Sequence, residues 1–286
     1  MNYLRFGQGA ALAAFATVGI VFAAWASDVS PRMHGPVQPN RNDDGSLKHG
    51  PRNEIDTSNW SGYAVANYQT GQKYTSATAT WVVPTVTQGS SDTTSTQYSS
   101  NWVGIGGFCA NRLCTRGDRT LIQLGTEQDV ATDGTTTLSA WYEMLPNFPV
   151  TITQIHPHAG DTITASLQCV SSCTSKKQNW KLSMQNLTTN ESWTQNVTYA
   201  SSLLSADWIE EAPYSGGVLP LADFGIAKFV GGAANVTTGL STLNANSNGI
   251  QMTDPWGQTA NPSDTNKADA FNVCWGFGSM TPCAAP

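Results

Sequence analysis

The chain has 286 residues, 40% of them hydrophobic and 12% charged, and 14 Lys+Arg against 20 Asp+Glu give a net charge of −6. A charged share about half the usual one excludes a disordered tail, a coiled coil and a charge-laced helical bundle. With no basic surplus there is no surface to track a phosphate backbone, so nucleic acid is excluded as a partner.

The first element is a targeting segment. Arg5 precedes the uncharged apolar run from Ala10 to Ala26, which ends in the small-x-small pattern Ala24-Trp25-Ala26. Residues 1–26 read as a secretory signal cut before Ser27. An uncut anchor is the rival, because such a run just spans a bilayer; the cleavage pattern favours the signal.

Residues 27–55 carry Pro31, Gly35, Pro36, Pro39, Gly45, Gly50 and Pro51, which leave no room for a long helix or strand. Arg32, Arg41, Lys48 and Arg52 balance Asp28, Asp43, Asp44 and Glu54, and His34 and His49 add charge in acid. The segment is either a passive linker or a propeptide. As a propeptide it is expected to occupy a cleft near neutrality through Arg41, Lys48 or Arg52, and to leave by self-cleavage in acid. The mature chain would then start near Asp56.

From Asp56 onward the pattern is short strands. Ser76–Val83, Thr137–Glu143, Asp161–Leu167, Asn179–Met184 and Phe271–Phe277 alternate to differing degrees, between clusters of Gly, Asn, Asp and Ser. Gln88–Ser100 reads as a polar surface loop. No window carries a 3.6-residue apolar stripe. The fold class is all-β, an antiparallel sandwich or barrel.

Six cysteines fall into three close pairs, Cys109/Cys114, Cys169/Cys173 and Cys274/Cys283, and export licenses disulfides. Zinc is the rival, but His156-Pro157-His158 lacks a third ligand and Cys169-x₃-Cys173 stands alone. No metal and no cofactor are expected.

Catalytic motifs are excluded in turn. There is no G-x-S-x-G elbow, and Gly104-Ile105-Gly106-Gly107 lacks the spacing of a nucleotide loop. Four histidines, two of them before residue 50, leave little for imidazole chemistry. What remains is a set of polar groups on apolar strands: Gln123 in Leu121–Gly125, Glu143 after Trp141-Tyr142, and Glu211 closing Ala206–Glu211. Strand alternation puts Glu211 on the face of Asp207 and Ile209, opposite Trp208 and Glu210.

Six blocks occur in order: Asn59-Trp60-Ser61-Gly62-Tyr63, Trp102-Val103-Gly104-Ile105, Leu121-Ile122-Gln123-Leu124-Gly125, Ala140-Trp141-Tyr142-Glu143, Ala206-Asp207-Trp208-Ile209-Glu210-Glu211 and Pro220-Leu221-Ala222-Asp223-Phe224. Together they resemble the glutamic peptidase (eqolisin) family of secreted acid endopeptidases, from about Ser58 to Phe229. The resemblance implies an antiparallel β-sandwich of two curved sheets, like concanavalin-A-type lectins. It implies Gln123 and Glu211 as the catalytic pair, Glu143 beside them, and Trp60, Trp102 and Trp141 lining the cleft. Familiar members carry Asp where this chain has Gly106, and Glu where it has Asp207. Residues 253–286 fall outside the matched blocks.

The chemistry suits those residues. A carboxylate takes a proton from water and returns it to the leaving nitrogen. An amide NH₂ donates to the developing oxyanion without bringing charge. The implied form is a secreted monomer acting on polypeptide substrates, with no membrane attachment after signal removal. The rival is a glycoside hydrolase or lectin on the same sandwich, with Glu143 and Glu211 as the carboxylate pair and tryptophans stacking sugars. Gln123 in its block favours the peptidase.

Overall fold

A computed structural model of the chain describes residues 32–89, 94–236, 239–242, 248–266, 269–276 and 283–286. The expected signal, residues 1–26, lies outside the described residues. The strands are β1 (Ile55–Thr57), β2 (Trp60–Ala66), β3 (Tyr74–Val82), β4 (Gln97–Gly106), β5 (Leu121–Val130), β6 (Thr136–Met144), β7 (Val150–Thr151) and β8 (Thr162–Ser171). They continue with β9 (Gln178–Asn186), β10 (Glu191–Tyr199), β11 (Ser205–Glu211), β12 (Ile226–Val236), β13 (Gly239–Thr242), β14 (Asn248–Thr253), β15 (Thr259–Pro262) and β16 (Phe271–Trp275). No helix occurs among the described residues.

The hydrogen-bonded order is β10-β9-β8-β3-β12-β16-β15-β14-β2-β11-β4-β5-β6-β7. Neighbours along it are antiparallel; β1 joins β14 in parallel. The expected pair of sheets is therefore one ladder, folded so that β10-β9-β8-β3-β12 faces β2-β11-β4-β5-β6. The short strands β14–β16 carry the hydrogen bonding from one leaf to the other, so few backbone groups are left unpaired at the corner.

Between the leaves lies the main core. Trp81, Ile163, Leu167, Trp180 and Leu182 from one leaf meet Val103, Ile105, Ile122, Leu124 and Trp208 from the other. Two indoles bridge the leaves with their N–H groups satisfied: Trp81 Nε1 donates to Thr126 Oγ1 (3.0 Å) and Trp208 Nε1 to Thr78 O (2.8 Å). Buried indoles otherwise leave a costly orphan donor. A second cluster of Trp60, Trp102, Leu121, Trp141, Ile209 and Ile250 covers the opposite face of β2-β11-β4-β5-β6. That leaf is thus buried on both sides, and every residue of β5 and β11 is buried.

The three close cysteine pairs form disulfides, as their spacing implied. The polar loop expected over Gln88–Ser100 is corrected at its end. β4 begins at Gln97, and Gln97, Ser99 and Ser100 are fully buried. Their side chains find partners: Gly89 N donates to Gln97 Oε1 (2.5 Å) and Ser100 Oγ to Thr126 O (2.9 Å). A satisfied polar residue is cheap to bury, so polarity alone misreads it as loop. The expected boundary between residues 55 and 56 falls inside β1, where Asp56 is fully buried.

Trp81→Ala removes a fully buried indole and its inter-leaf hydrogen bond. Urea unfolding of this variant is expected to show a loss of about 3–5 kcal/mol; a loss below about 1 kcal/mol would contradict this account of the core.

Candidate active site

The outer face of the doubly buried leaf gathers the singled-out polar residues. On β5, Ile122 and Leu124 turn into the main core while Leu121 joins the outer cluster. Gln123, Gly125, Glu127 and Asp129 therefore share the outer face. On β11, Trp208 faces the main core and Ile209 the outer cluster, which carries Asp207 and Glu211 outward. Glu210 turns the other way, onto the Asn101 amide. The expected register of this block holds. Across the ladder Gln123 pairs with Glu143 on β6 and with Gly104 on β4. Glu211 pairs with Trp60 on β2 and Ser100 on β4.

Trp102 joins the two halves of the site. Its indole crosses the outer face where two glycines leave space. A Cβ at Gly125 would stand 2.5 Å from Trp102 Cβ and 2.4 Å from Asn101 O; one at Gly104 would meet the indole at 3.0 Å. So placed, Trp102 Nε1 donates to Glu211 Oε2 at 2.7 Å, and the ring meets Trp60 edge-on with centroids 4.8 Å apart. Gln123 Nε2 donates to Glu143 Oε2 at 2.8 Å. Glu211 Oε1, Gln123 Oε1 and Glu143 Oε1 have no hydrogen-bond partner among the described residues.

The cleft is filled by the chain's own residues 32–39. Met33 and Tyr214 exchange both backbone hydrogen bonds at 2.8 Å. Gln123 Nε2 donates to the His34 carbonyl at 2.7 Å, and His34 N donates to Glu143 Oε2 at 3.0 Å. Trp60 Nε1 holds the Gly35 carbonyl (3.0 Å), while Asn59 holds Pro36 O (3.1 Å) and Gln38 N (2.9 Å). Val37 N donates to Gly107 O at 3.0 Å. The His34 ring is fully buried and stacked on Trp141, with centroids 3.5 Å apart and planes 3° from parallel. Its nitrogens face Glu127 (3.4 Å) and Glu143 (3.6 Å). Arg32 bridges Glu127 (2.9 Å) and Asp129 (3.0 Å) over the Tyr98 ring.

These surroundings set the protonation states. Burial works against a charged imidazole, but the flanking Glu127 and Glu143 outweigh it, and the His34 pKa is pushed up to about 10. Burial also opposes ionised Glu127. His34 and Arg32 prevail, and its carboxyl is held below the ordinary range. Asp129 is pushed up to about 8 by burial and by the charge of Glu127. In that pair Glu127 keeps the charge and Asp129 the proton. Glu211 is raised well above the ordinary value, chiefly by burial; the His34 charge and the Trp102 and Trp60 donors pull against this, and Glu143 adds to it.

All the expected site residues, Gln123, Glu211, Glu143, Trp60, Trp102 and Trp141, meet on this face. The expected electrostatics of the segment are corrected. Arg41 binds backbone carbonyls of Gly45 and Cys114, Lys48 pairs with Asp56, and Arg52 with Glu54 and Asp264. Arg32 and His34 reach the site instead, because the chain crosses the cleft over residues 32–39 and turns away afterward. Sequence reasoning missed Glu127 and Asp129, although alternation from Gln123 puts both on its face. It gave Asn59 no role, although that residue opens the first of the six blocks, and it missed Tyr214, which binds through its backbone. Gly106 has φ +85°, and a Cβ there would lie 2.1 Å from Thr120 O. Asp118 Oδ2 stands 3.3 Å from that position and bonds Thr120 and Ser202. It braces the start of β5 rather than touching Gln123.

Comparison with known proteins agrees with this geometry. The Peptidase A4 family matches residues 58–275, further toward the C-terminus than the sequence blocks reached. Aspergillopepsin-2 from Aspergillus niger is 30% identical over 215 residues, covering 68% of this chain and 70% of the relative. The fold is similar to a scytalido-glutamic peptidase crystallised with a transition state analog inhibitor. That likeness has a TM-score of 0.59 at 20% identity and covers 76% of this chain and 98% of that one. A second crystal structure of scytalido-glutamic peptidase, with a peptide-based transition state analog, gives 0.57 at 21% identity over the same shares.

Gly125→Ala puts a methyl group against Asn101 O and Trp102 Cβ, neither of which is the end of a flexible side chain. A loss of about 1–3 kcal/mol on urea unfolding is expected, with a shift in tryptophan fluorescence; an unchanged emission and midpoint would show that the indole does not depend on this glycine.

Proposed function

The chain belongs to the Peptidase A4 family and is a glutamic endopeptidase, and on that premise we propose that Gln123 and Glu211 are its catalytic pair, closed by a propeptide spanning residues 27–55. The observation that carries this is a peptide carbonyl, that of His34, held at 2.7 Å by the Gln123 amide on the face that carries Glu211. A substrate carbonyl takes the same place. Glu211 accepts a proton from the attacking water, the Gln123 NH₂ donates to the oxyanion, and Glu211 returns the proton to the leaving nitrogen. Trp102 keeps the Glu211 carboxylate aimed, and Glu143 keeps the Gln123 amide turned with its NH₂ toward the substrate. Family membership sets aside the carbohydrate reading of Glu143 and Glu211.

Burial holds Glu211 well above the ordinary carboxylate range, and the charge of His34, the residue at the catalytic carbonyl, pulls the other way and favours the ionised base.

The pH that opens the cleft follows from the direction of each shift. His34 is raised from 6.5 to about 10. Its contribution to docking is complete below 6.5 and is lost as pH rises through about 10, so protonating it does not expel the segment. Glu127 is lowered from 4.5. Its contribution is present above 4.5 and is lost as pH falls through the lowered value. Release in acid therefore belongs to the carboxylate. On this reading the protein is secreted, cut after residue 26, and activated outside the cell by self-cleavage.

In casein digestion near pH 3, Gln123→Ala and Glu211→Gln are each expected to lower kcat by about 10² or more, and Glu210→Gln far less. A dead Glu210→Gln beside an active Glu211→Gln would reverse the assignment. Glu127→Gln keeps the shape of its side chain but not its charge. The full-length variant should cleave peptide near pH 6, where the wild type is shut; equal latency of the two would refute the carboxylate switch.

A further inference from the structure

Resting on that catalytic assignment, the docked segment is also a template for how substrate lies in the cleft. Its backbone is read by groups indifferent to side-chain identity: Tyr214 on Met33, Glu143 and Gln123 on His34, Trp60 on Gly35, Asn59 on Pro36 and Gln38, and Gly107 on Val37. Together they fix the register. The carbonyl at the catalytic amide is that of His34, so the bond in line for hydrolysis joins His34 to Gly35.

The side chains in that register meet chemically distinct walls. The residue at the catalytic carbonyl enters a fully buried slot with the flat Trp141 indole on one side and carboxylates of Glu127 and Glu143 at the ring edges. Two residues upstream, Arg32 lies between Glu127 and Asp129 over Tyr98. Three residues downstream, Val37 is buried against the apolar cluster that includes Phe108 and the Cys109–Cys114 disulfide. Among the described residues, Glu127, Asp129 and Glu143 face the cations Arg32 and His34 and no other, with Glu127 carrying the charge of the Glu127–Asp129 pair. When the segment leaves, this acidic wall loses its counter-charges. A planar face and paired carboxylate oxygens suit a flat delocalised cation, imidazolium or guanidinium, better than an aliphatic side chain.

We propose that Trp141, Glu127 and Glu143 form a specificity subsite for a planar cationic residue at the cleaved carbonyl, and that Glu127 with Asp129 selects arginine two residues before it. The same register makes His34–Gly35 the first bond cut during activation: water oxygen adds to the His34 carbonyl carbon, the C–N bond breaks, and the proton passes to the Gly35 nitrogen. The products are a new carboxyl end at His34 and a new amine at Gly35.

The test uses the acid-activated full chain and peptides spanning Pro31–Gln38 with His, Arg, Phe or Leu at the position of His34, assayed near pH 4 with casein as a general substrate. The His and Arg peptides are expected to exceed the Leu peptide in kcat/KM by about tenfold or more, with Phe between them. In Glu127→Gln the His-to-Leu ratio should fall toward one, whatever the absolute rates. In Asp129→Ala, which removes the oxygen facing Arg32 Nη2 at 3.0 Å, the preference for arginine over alanine two residues upstream should fall. Mass spectrometry of the activating wild type should show a fragment beginning at Gly35 before any later one. Casein digestion with equal His and Leu rates, or with an unchanged ratio in Glu127→Gln, would overturn the subsite and leave the peptidase reading standing. Failure to digest casein as well would overturn the catalytic assignment and the subsite with it.

Discussion

The constraint on which this structure turns is a row of carboxylates on a buried face. Glu127 and Asp129 on β5, Glu143 on β6 and Glu211 on β11 share one sheet face and are all nearly inaccessible to water. Burying one ionised carboxylate without a partner is expensive, and several together are more so. The fold answers in two ways. Protons neutralise part of the row, at Asp129 and Glu211. Cations from residues 32 and 34 neutralise the rest. A closed, stable form and a reactive cleft are therefore alternative solutions to the same electrostatic demand.

That demand explains why the closing segment is so heavily bonded at its backbone. Ion pairs alone give adjustable attraction but poor register, because long side chains reorient freely. Hydrogen bonds from Tyr214, Asn59, Trp60 and Gln123 fix where each residue sits. The charges then decide whether it stays. Division of labour between a backbone that sets position and side chains that set affinity is common where extended peptides bind along strands.

The carboxylates in turn depend on packing elsewhere. Glu211 is aimed by Trp102, and Trp102 fits because Gly104 and Gly125 lack side chains. The strands carrying these residues stay flat against the main core through the inter-leaf indoles Trp81 and Trp208. Catalytic geometry is supported from the core outward, by aromatic rings whose polar atoms are satisfied.

The sequence by itself determined the strand content, the three disulfides, and the polar groups that meet at the site. Short alternating runs, closely spaced cysteines and six ordered blocks are local signals, and period-two alternation suffices to put Glu211 and Glu210 on opposite faces. Other features depended on what lies across the sheet. Ser99 and Ser100 read as a surface loop because their buried partners, Gln128 and Thr126, lie on another strand, β5. Glu127 and Asp129 passed unremarked because β5 is covered on both faces and its burial carries no alternation. The docking cations were sought among Arg41, Lys48 and Arg52, since composition counts charges without placing them. Only the tertiary structure decided that Arg32 and His34 reach the cleft: the path of residues 32–39 is set by long-range hydrogen bonds to Tyr214, Asn59 and Gln123, and partners so far apart in the chain leave no local trace in it.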